Sequence, residues 1–475
     1  MRHHHGKATV IVLVLLLALT VFAVTACGDE GSTDTSAPAT TGGGTPSTTG
    51  SGTAASSTDT TAPAGDQPVL KVGALLSLDT VQGVEIKKWL ELFAKLYNDA
   101  GGWNIGGTAY KVQPMIYDVG VWDAAKTRSA VEKAVLQDKV QYMVTNWGDI
   151  PAETISVTEP NKVLWLGLDF TDGTVAPTLK YAIRAQGLFF AQGLFYYIIE
   201  DYMKQGAKSG LVVCPDTQQG QVGSQLVAAT ANTLGLQVLD PVFFAQDTAD
   251  FGPIATKIVA AKPDAVFMSY MAGDQVVNLL GALKDAGFEG FILPGELDNQ
   301  TLDNAIKRVG EEYMEGMETG SYDPVGVETD PQILKYIDAY KAQYGDWYSA
   351  GCFWVGPWFI FEDAVNATQS TDVDALVAYL QDSKKGVKTL NGYSQLFARP
   401  DIENFKTVDS APGHYIGVVR DGKFVYLSTI ACKDQYLSSI LVYGLQDVYQ
   451  AYWDQYGTPV FPDQPSRLEI TDLQK

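Results

Sequence analysis

Residues 250–296 read DFGPIATKIVAAKPDAVFMSYMAGDQVVNLLGALKDAGFEGFILPGE. A helical pattern over 251–261 gives way to the apolar run DAVFMSYM at 264–271, and a second helical pattern over 274–286 leads into GFILPGE at 290–296. Short apolar runs bounded by turn residues read as strands. Strands separated by helices in strict order pair in parallel through right-handed crossovers. The stretch therefore predicts two strand-and-helix units of an open parallel sheet.

Working outward, the same alternation reaches back through a helix over 188–205, the strand SGLVVCP at 209–215, a helix over 220–234 and the strand LQVLDPVFF at 236–244. An earlier alternation starts at Val69 with VLKVGALLSL. The helix after it carries Trp89, Phe93, Leu96 and Tyr97 on one stripe and closes at NDAGG. Strands follow at 110–119, 140–146 and 162–169, with helices over 123–138 and 150–160. GGWNIGG at 101–107 reads as a turn joining a helix to a strand. Two such sheets in series predict an α/β protein with two Rossmann-like lobes, whose ligands bind at the carboxyl ends of the strands.

The motifs of several enzyme classes are missing. No G-x-G-x-x-G follows a strand, and neither a phosphate-binding G-x-x-x-x-G-K-[ST] nor a G-x-S-x-G occurs. DVDAL at 372–376 lacks the glycine and glutamate of a calcium loop. Three of the four histidines fall within the first five residues, which leaves His414, and Cys214, Cys352 and Cys432 have no C-x-x-C spacing. Zinc sites and histidine-dependent triads are excluded on inventory. The expectation is a protein without cofactor or catalysis; the enzyme alternative has only acid pairs such as Asp149 with Asp169. A formal charge of −22 disfavours nucleic acid.

The N-terminus has the three parts of a secretory signal: basic Arg2 and Lys7, the apolar run VIVLVLLLALTVFAV and a small-residue end. A run of this length also suits a retained transmembrane helix. VTAC at 24–27 resembles the lipobox of bacterial lipoproteins, which implies removal of residues 1–26 and a diacylglycerol on Cys27. Residues 27–66, rich in Ser, Thr and Gly, cannot bury enough apolar surface to order and read as a leash. The expected location is extracytoplasmic, lipid-anchored to the cell membrane. An exported compartment permits a disulfide, with Cys352 to Cys432 the expected pair.

The opening LKVGALLSL with a helix ending YNDAGG, the block GGTAYKVQPMIYDVGVWDAAKTRSAVEKAV, the stretch quoted first and YKAQYG together resemble the type I periplasmic binding proteins, in particular the leucine/isoleucine/valine-binding receptors of ABC transporters. The order of the pieces over roughly 69–428 carries the resemblance. It implies lobes at 67–184 plus 323–388 and 187–320 plus 389–437, joined by a three-segment hinge near 183–188, 319–325 and 385–398. It also implies a monomer that captures a small-molecule solute, such as an amino acid or a related amide or aromatic compound, and delivers it to an ABC permease. The alternative is a sensor of the same fold that signals to a membrane partner. Residues 438–475 form an extension that either covers the second lobe or meets a partner.

The resemblance also locates the ligand loops. After strand 140–146 come Asn146, Trp147, Gly148 and Asp149; after 162–169 come Asp169, Phe170 and Thr171; after 209–215 come Asp216, Gln218 and Gln219. Asp79 follows the first strand, while Tyr270 and Met271 end another. Glu296 falls on the family's acidic position that pairs with an ammonium group. Bulky aromatics and acids stand where amino-acid receptors offer small hydroxyl-bearing residues, which favours a neutral or cationic solute, or one with an aromatic or amide portion.

Overall fold

A parallel pairing of the first strand with two later ones sets the architecture. The structure, a computed structural model, describes residues 67–187 and 189–474, without the side chains of Gln218, Glu296 and Gln474. The elements begin with β1 (Val69–Leu76), α1 (Val81–Asp99), β2 (Trp103–Ile105), β3 (Thr108–Asp118), α2 (Ala124–Glu132), β4 (Tyr142–Trp147), α3 (Pro151–Thr158), β5 (Leu164–Asp169) and β6 (Ala182–Gly187). Next come α4 (Gly193–Lys204), β7 (Ser209–Pro215), α5 (Gln218–Leu234), β8 (Gln237–Val238), β9 (Val242–Phe244), α6 (Gly252–Ala261), β10 (Ala265–Met268), α7 (Gly273–Asp285), β11 (Phe291–Leu293), β12 (Glu296–Leu297), α8 (Asn299–Val309), α9 (Glu311–Met314) and β13 (Glu318–Ser321). The chain closes through α10 (Pro331–Tyr344), α11 (Gly356–Thr368), α12 (Val373–Asp382), β14 (Val387–Thr389), β15 (Gly392–Arg399), β16 (Asn404–Pro412), β17 (His414–Arg420), β18 (Lys423–Ile430), α13 (Cys432–Val442) and α14 (Gln446–Tyr456).

The first sheet runs β14-β15-β16-β6-β5-β4-β1-β3-β2 and the second β11-β10-β7-β8, with β9 also on β7; a smaller sheet runs β12-β13-β17-β18. The second sheet is parallel throughout, as the quoted stretch predicts. Side chains alternate along its strands: Val212 and Cys214 enter one core, and Leu211 and Val213 the core on the opposite face. Near-continuous apolar runs such as GLVVC are what a sheet covered on both faces requires. GGWNIGG holds more than a turn, because Trp103–Ile105 pairs back on β3 through Gly106 and Gly107. Their φ values of 57° and 83° meet the demand of a two-residue hairpin for two left-handed residues.

Several expectations change. The helix foreseen over 188–205 begins at Gly193, because Phe189 and Phe190 turn inward and are buried. Pro241 separates the expected strand 236–244 into β8 and β9, and Pro294 and Gly295 end β11 three residues before Glu296. Residues 389–437 do not stay together: β15 and β16 extend the first sheet, with Asp409 of β16 paired beside Arg184 of β6, and only β17 and β18 join the smaller sheet. The expected Cys352–Cys432 disulfide is absent, since both thiols are free and buried in different cores. The extension covers the second sheet: Ile440, Tyr449, Trp453 and Leu468 share a core with Phe190, Leu194 and Tyr197. Cys27 and the segments 1–26 and 27–66 lie outside the described residues.

Candidate functional site

The carboxyl ends of β1 and β7 lead into the same local sequence, Asp79-Thr80-Val81-Gln82-Gly83 and Asp216-Thr217-Gln218-Gln219-Gly220. In each the threonine caps the helix: Thr80 Oγ1 accepts from Gly83 N at 3.1 Å, and Thr217 Oγ1 from Gly220 N at 3.0 Å. Each glycine lets the first helical turn press against the strand end, since a Cβ would stand 1.9 Å from the Ser77 carbonyl oxygen or 2.0 Å from that of Pro215. Gly220 is thus a packing requirement. Asp79 and Asp216, one residue before the caps, are exposed.

A line of aromatic rings connects these two helix starts. Trp147 donates its indole N–H to Thr80 Oγ1 at 3.0 Å. Its ring lies 6.2 Å from Trp122, which lies 6.0 Å from Phe170, which meets Tyr270 edge to face at 5.7 Å. The Tyr270 ring occupies the space that Gly223 on α5 leaves empty. On its other side Trp147 packs against Trp354 at 4.6 Å, and Trp354 against Tyr322 at 5.9 Å. Trp147, Phe170 and Tyr270 were expected here, whereas Trp122 was not. The only signal for Trp122 is a tryptophan placed directly before Asp123, the N-cap of α2. It sits at φ 53° and donates its backbone N–H to the Gly148 carbonyl at 2.7 Å.

The backbone under these rings is irregular. Thr145 within β4 has φ 74°, and the β1–β4 register shifts between Gly73 and Leu75. Such bulges re-aim the residues that follow, and strained β-branched residues cluster at functional sites. Gly148, at φ 86°, continues the turn, and a Cβ there would collide with Ser77. The shifted strand end lets Asn146 Oδ1 accept from Leu168 N at 2.5 Å, locking the ends of β4 and β5 together.

The acids divide into two groups. Asp149 is fully buried, hydrogen-bonded to Asn146 and to Thr154 Oγ1, so it shapes its loop. Burial pushes its carboxyl up to about 7. Asp169 is buried and also raised by burial, against the pull of Arg184; it accepts from Thr171 N at 3.1 Å and Thr171 Oγ1 at 2.8 Å. Met271 packs against the core of the second sheet. Glu296 opens β12 beside Gly320, and its side chain, like that of Gln218, lies outside what is described.

Below the Phe170 loop lies a buried ionic cluster. Arg184 Nε donates to Asp409 Oδ1 at 2.8 Å and its Nη1 to the Thr171 carbonyl at 2.6 Å, so the loop is fixed from beneath. Arg399 bonds Asp409 at 2.9 Å, Asp172 at 2.8 Å and Asp401 at 2.8 Å, with Phe189 against its guanidinium. Tyr449 of the extension donates to Asp401 at 3.0 Å. Three hydroxyls close to the rings have no protein partner among the described residues, those of Ser77, Thr145 and Ser269, and all three side chains are buried.

Solved structures with this architecture come from several bacteria. A leucine binding protein LivK from Thermotoga maritima superposes with a TM-score of 0.59 at 18% identity, over 76% of this chain and 99% of its own. LivJ from Streptococcus pneumoniae, in complex with isoleucine, gives 0.58 at 17%, over 76% and 100%. A solute binding protein from Rhodopseudomonas palustris, in complex with benzoate, gives 0.60 at 15%, over 76% and 96%. No curated protein matches the chain. At such identities the likeness establishes the type I fold. The model of one family, periplasmic binding protein, matches residues 70–406, and with that match the chain belongs to the periplasmic binding protein family.

Proposed function

We propose that this protein is an extracytoplasmic receptor that captures a small solute between the strand ends of its two sheets and hands it to an ABC importer. The observation that carries the reading is the ring line from Thr80 to Tyr270, which brings loops of both sheets to one place. A solute held there would touch both sheets and favour a closed arrangement, the hinge mechanism by which binding proteins present a ligand. The solutes in solved relatives, isoleucine and benzoate, suggest amino acids and aromatic compounds as the range to test. The protein acts as a monomer tethered through a lipid on Cys27, with residues 27–66 as the leash and with no bond made or broken in the solute.

Thermal unfolding of the full chain in detergent, stripped of solute, against amino acids, amides, aromatic acids, amines and sugars tests this. A solute at a hundredfold its dissociation constant adds about 2.7 kcal/mol, a rise of a few degrees. A rise confined to one chemical class supports the receptor; no rise with any class counts against it.

A further inference from the structure

The charge and ring chemistry along the line from Trp147 to Tyr270 narrow the solute class, given the receptor reading above. Trp122 comes from the turn between β3 and α2, Trp147 from the end of β4 and Phe170 from the loop after β5, and each is only half-buried. An aromatic face carries the negative lobe of the ring quadrupole, and an ammonium within about 6 Å of a centroid is attracted to it. With centroids 6.0 to 6.2 Å apart along Trp147, Trp122 and Phe170, one ammonium head lies within reach of two rings at once.

The protein places its own cations on other rings: Lys88 over Tyr344, Lys341 over Trp347 and Arg399 over Phe189. Among the described residues, none lies over Trp122, Trp147 or Phe170.

The surrounding charge has the same sense. Exposed Asp79 and Asp216 stand at equivalent positions beside α1 and α5. Lys126 lies along Gly120, two residues before Trp122, and Arg184 beneath the Phe170 loop is already engaged by Asp409 and Asp172. The helix starts that could receive a carboxylate are capped by their own Thr80 and Thr217 and preceded by those aspartates. A ligand carboxylate therefore meets Asp79 beside the Thr80–Trp147 bond, while a positive head meets ring faces and that carboxylate. We propose that these rings take an organic cation, an ammonium ion carrying an apolar body, with Trp122 as the ring that selects it.

The test is titration calorimetry on the stripped full chain with choline, tetraethylammonium and phenethylammonium, beside 3,3-dimethylbutan-1-ol, which copies the shape of choline without its charge, and beside leucine and benzoate. The expected result is saturable binding of at least one cation. Where choline is that cation, the uncharged copy binds about tenfold or more weakly. Trp122→Leu is expected to weaken the cation by a similar factor and Trp122→Phe to restore most of it; unliganded melting of both variants at the parental temperature separates recognition from folding. Tight binding of leucine or benzoate with no cation bound overturns the cation assignment and leaves the receptor standing. Failure of every probe overturns the assignment together with the reading it rests on.

Discussion

Phe170 meets Tyr270 edge to face, with centroids 5.7 Å apart and ring planes at 89°, and so joins the loop after β5 in the first sheet to the loop after β10 in the second. Edge-to-face pairs contribute about 0.5–1.5 kcal/mol beyond the area they bury. A double-mutant cycle of Phe170→Leu and Tyr270→Leu, read by urea unfolding of the solute-free chain, should return a coupling of that size. Strict additivity would mean that the two loops do not meet in solution.

The Arg184–Asp409 pair is a point of fragility. Both side chains are buried, and Asp409 also serves Arg399. Breaking a buried pair by removing one charge strands the other, at a cost of about 3–5 kcal/mol. Asp409→Asn should lower the urea midpoint accordingly and loosen the Thr171 loop that Arg184 holds, while Asp374→Asn, in an exposed pair with Lys180, should leave the midpoint nearly unchanged.

Asp149 gives the stability a pH dependence whose sign follows from linkage. Its folded carboxyl stands at about 7 against an ordinary 3.8, so between these values the folded chain keeps a proton that the unfolded chain has lost. That contribution therefore falls as pH rises from about 4 to about 7. Asp149→Asn, which cannot ionise, should gain on the parent between pH 5 and pH 8 in melting temperature. A difference that stays constant across this range would place the carboxyl in water.

His414 behaves in the opposite sense. It is buried, and burial lowers its pKa to about 3. Its ring resonance should hold still in NMR spectra between pH 8 and pH 5, where an ordinary imidazole titrates. A midpoint for His414 near 6.5 would contradict its place between Tyr322 and Phe353.

The reading of the sequence reached furthest where the signal is local. The parallel sheet follows from apolar runs and intervening helices, and the loops at Trp147, Phe170 and Tyr270 follow from strand ends. What the sequence leaves open is set by distant partners. Residues 392–412 have an ordinary strand pattern, and only the pairing of Asp409 beside Arg184, 225 residues away, assigns them to the first sheet. Trp122 lies in a turn with no periodicity to mark it, and its place is fixed by a bond to Gly148 in the turn after β4. The aromatic tail gave its composition but not its neighbour, which proves to be the core around Phe190 and Tyr197.

The central claim is that one solute binds among these rings. The most direct measurement is calorimetric titration of the solute that raises the melting temperature most, into the stripped chain and into its Trp147→Ala and Phe170→Ala variants. The expected result is one site per chain, weakened about tenfold or more in both variants, in line with the 1–3 kcal/mol that a well-packed aromatic contributes to a binding centre. Unchanged affinity in both variants, with their folds intact, would place the solute elsewhere and contradict the account.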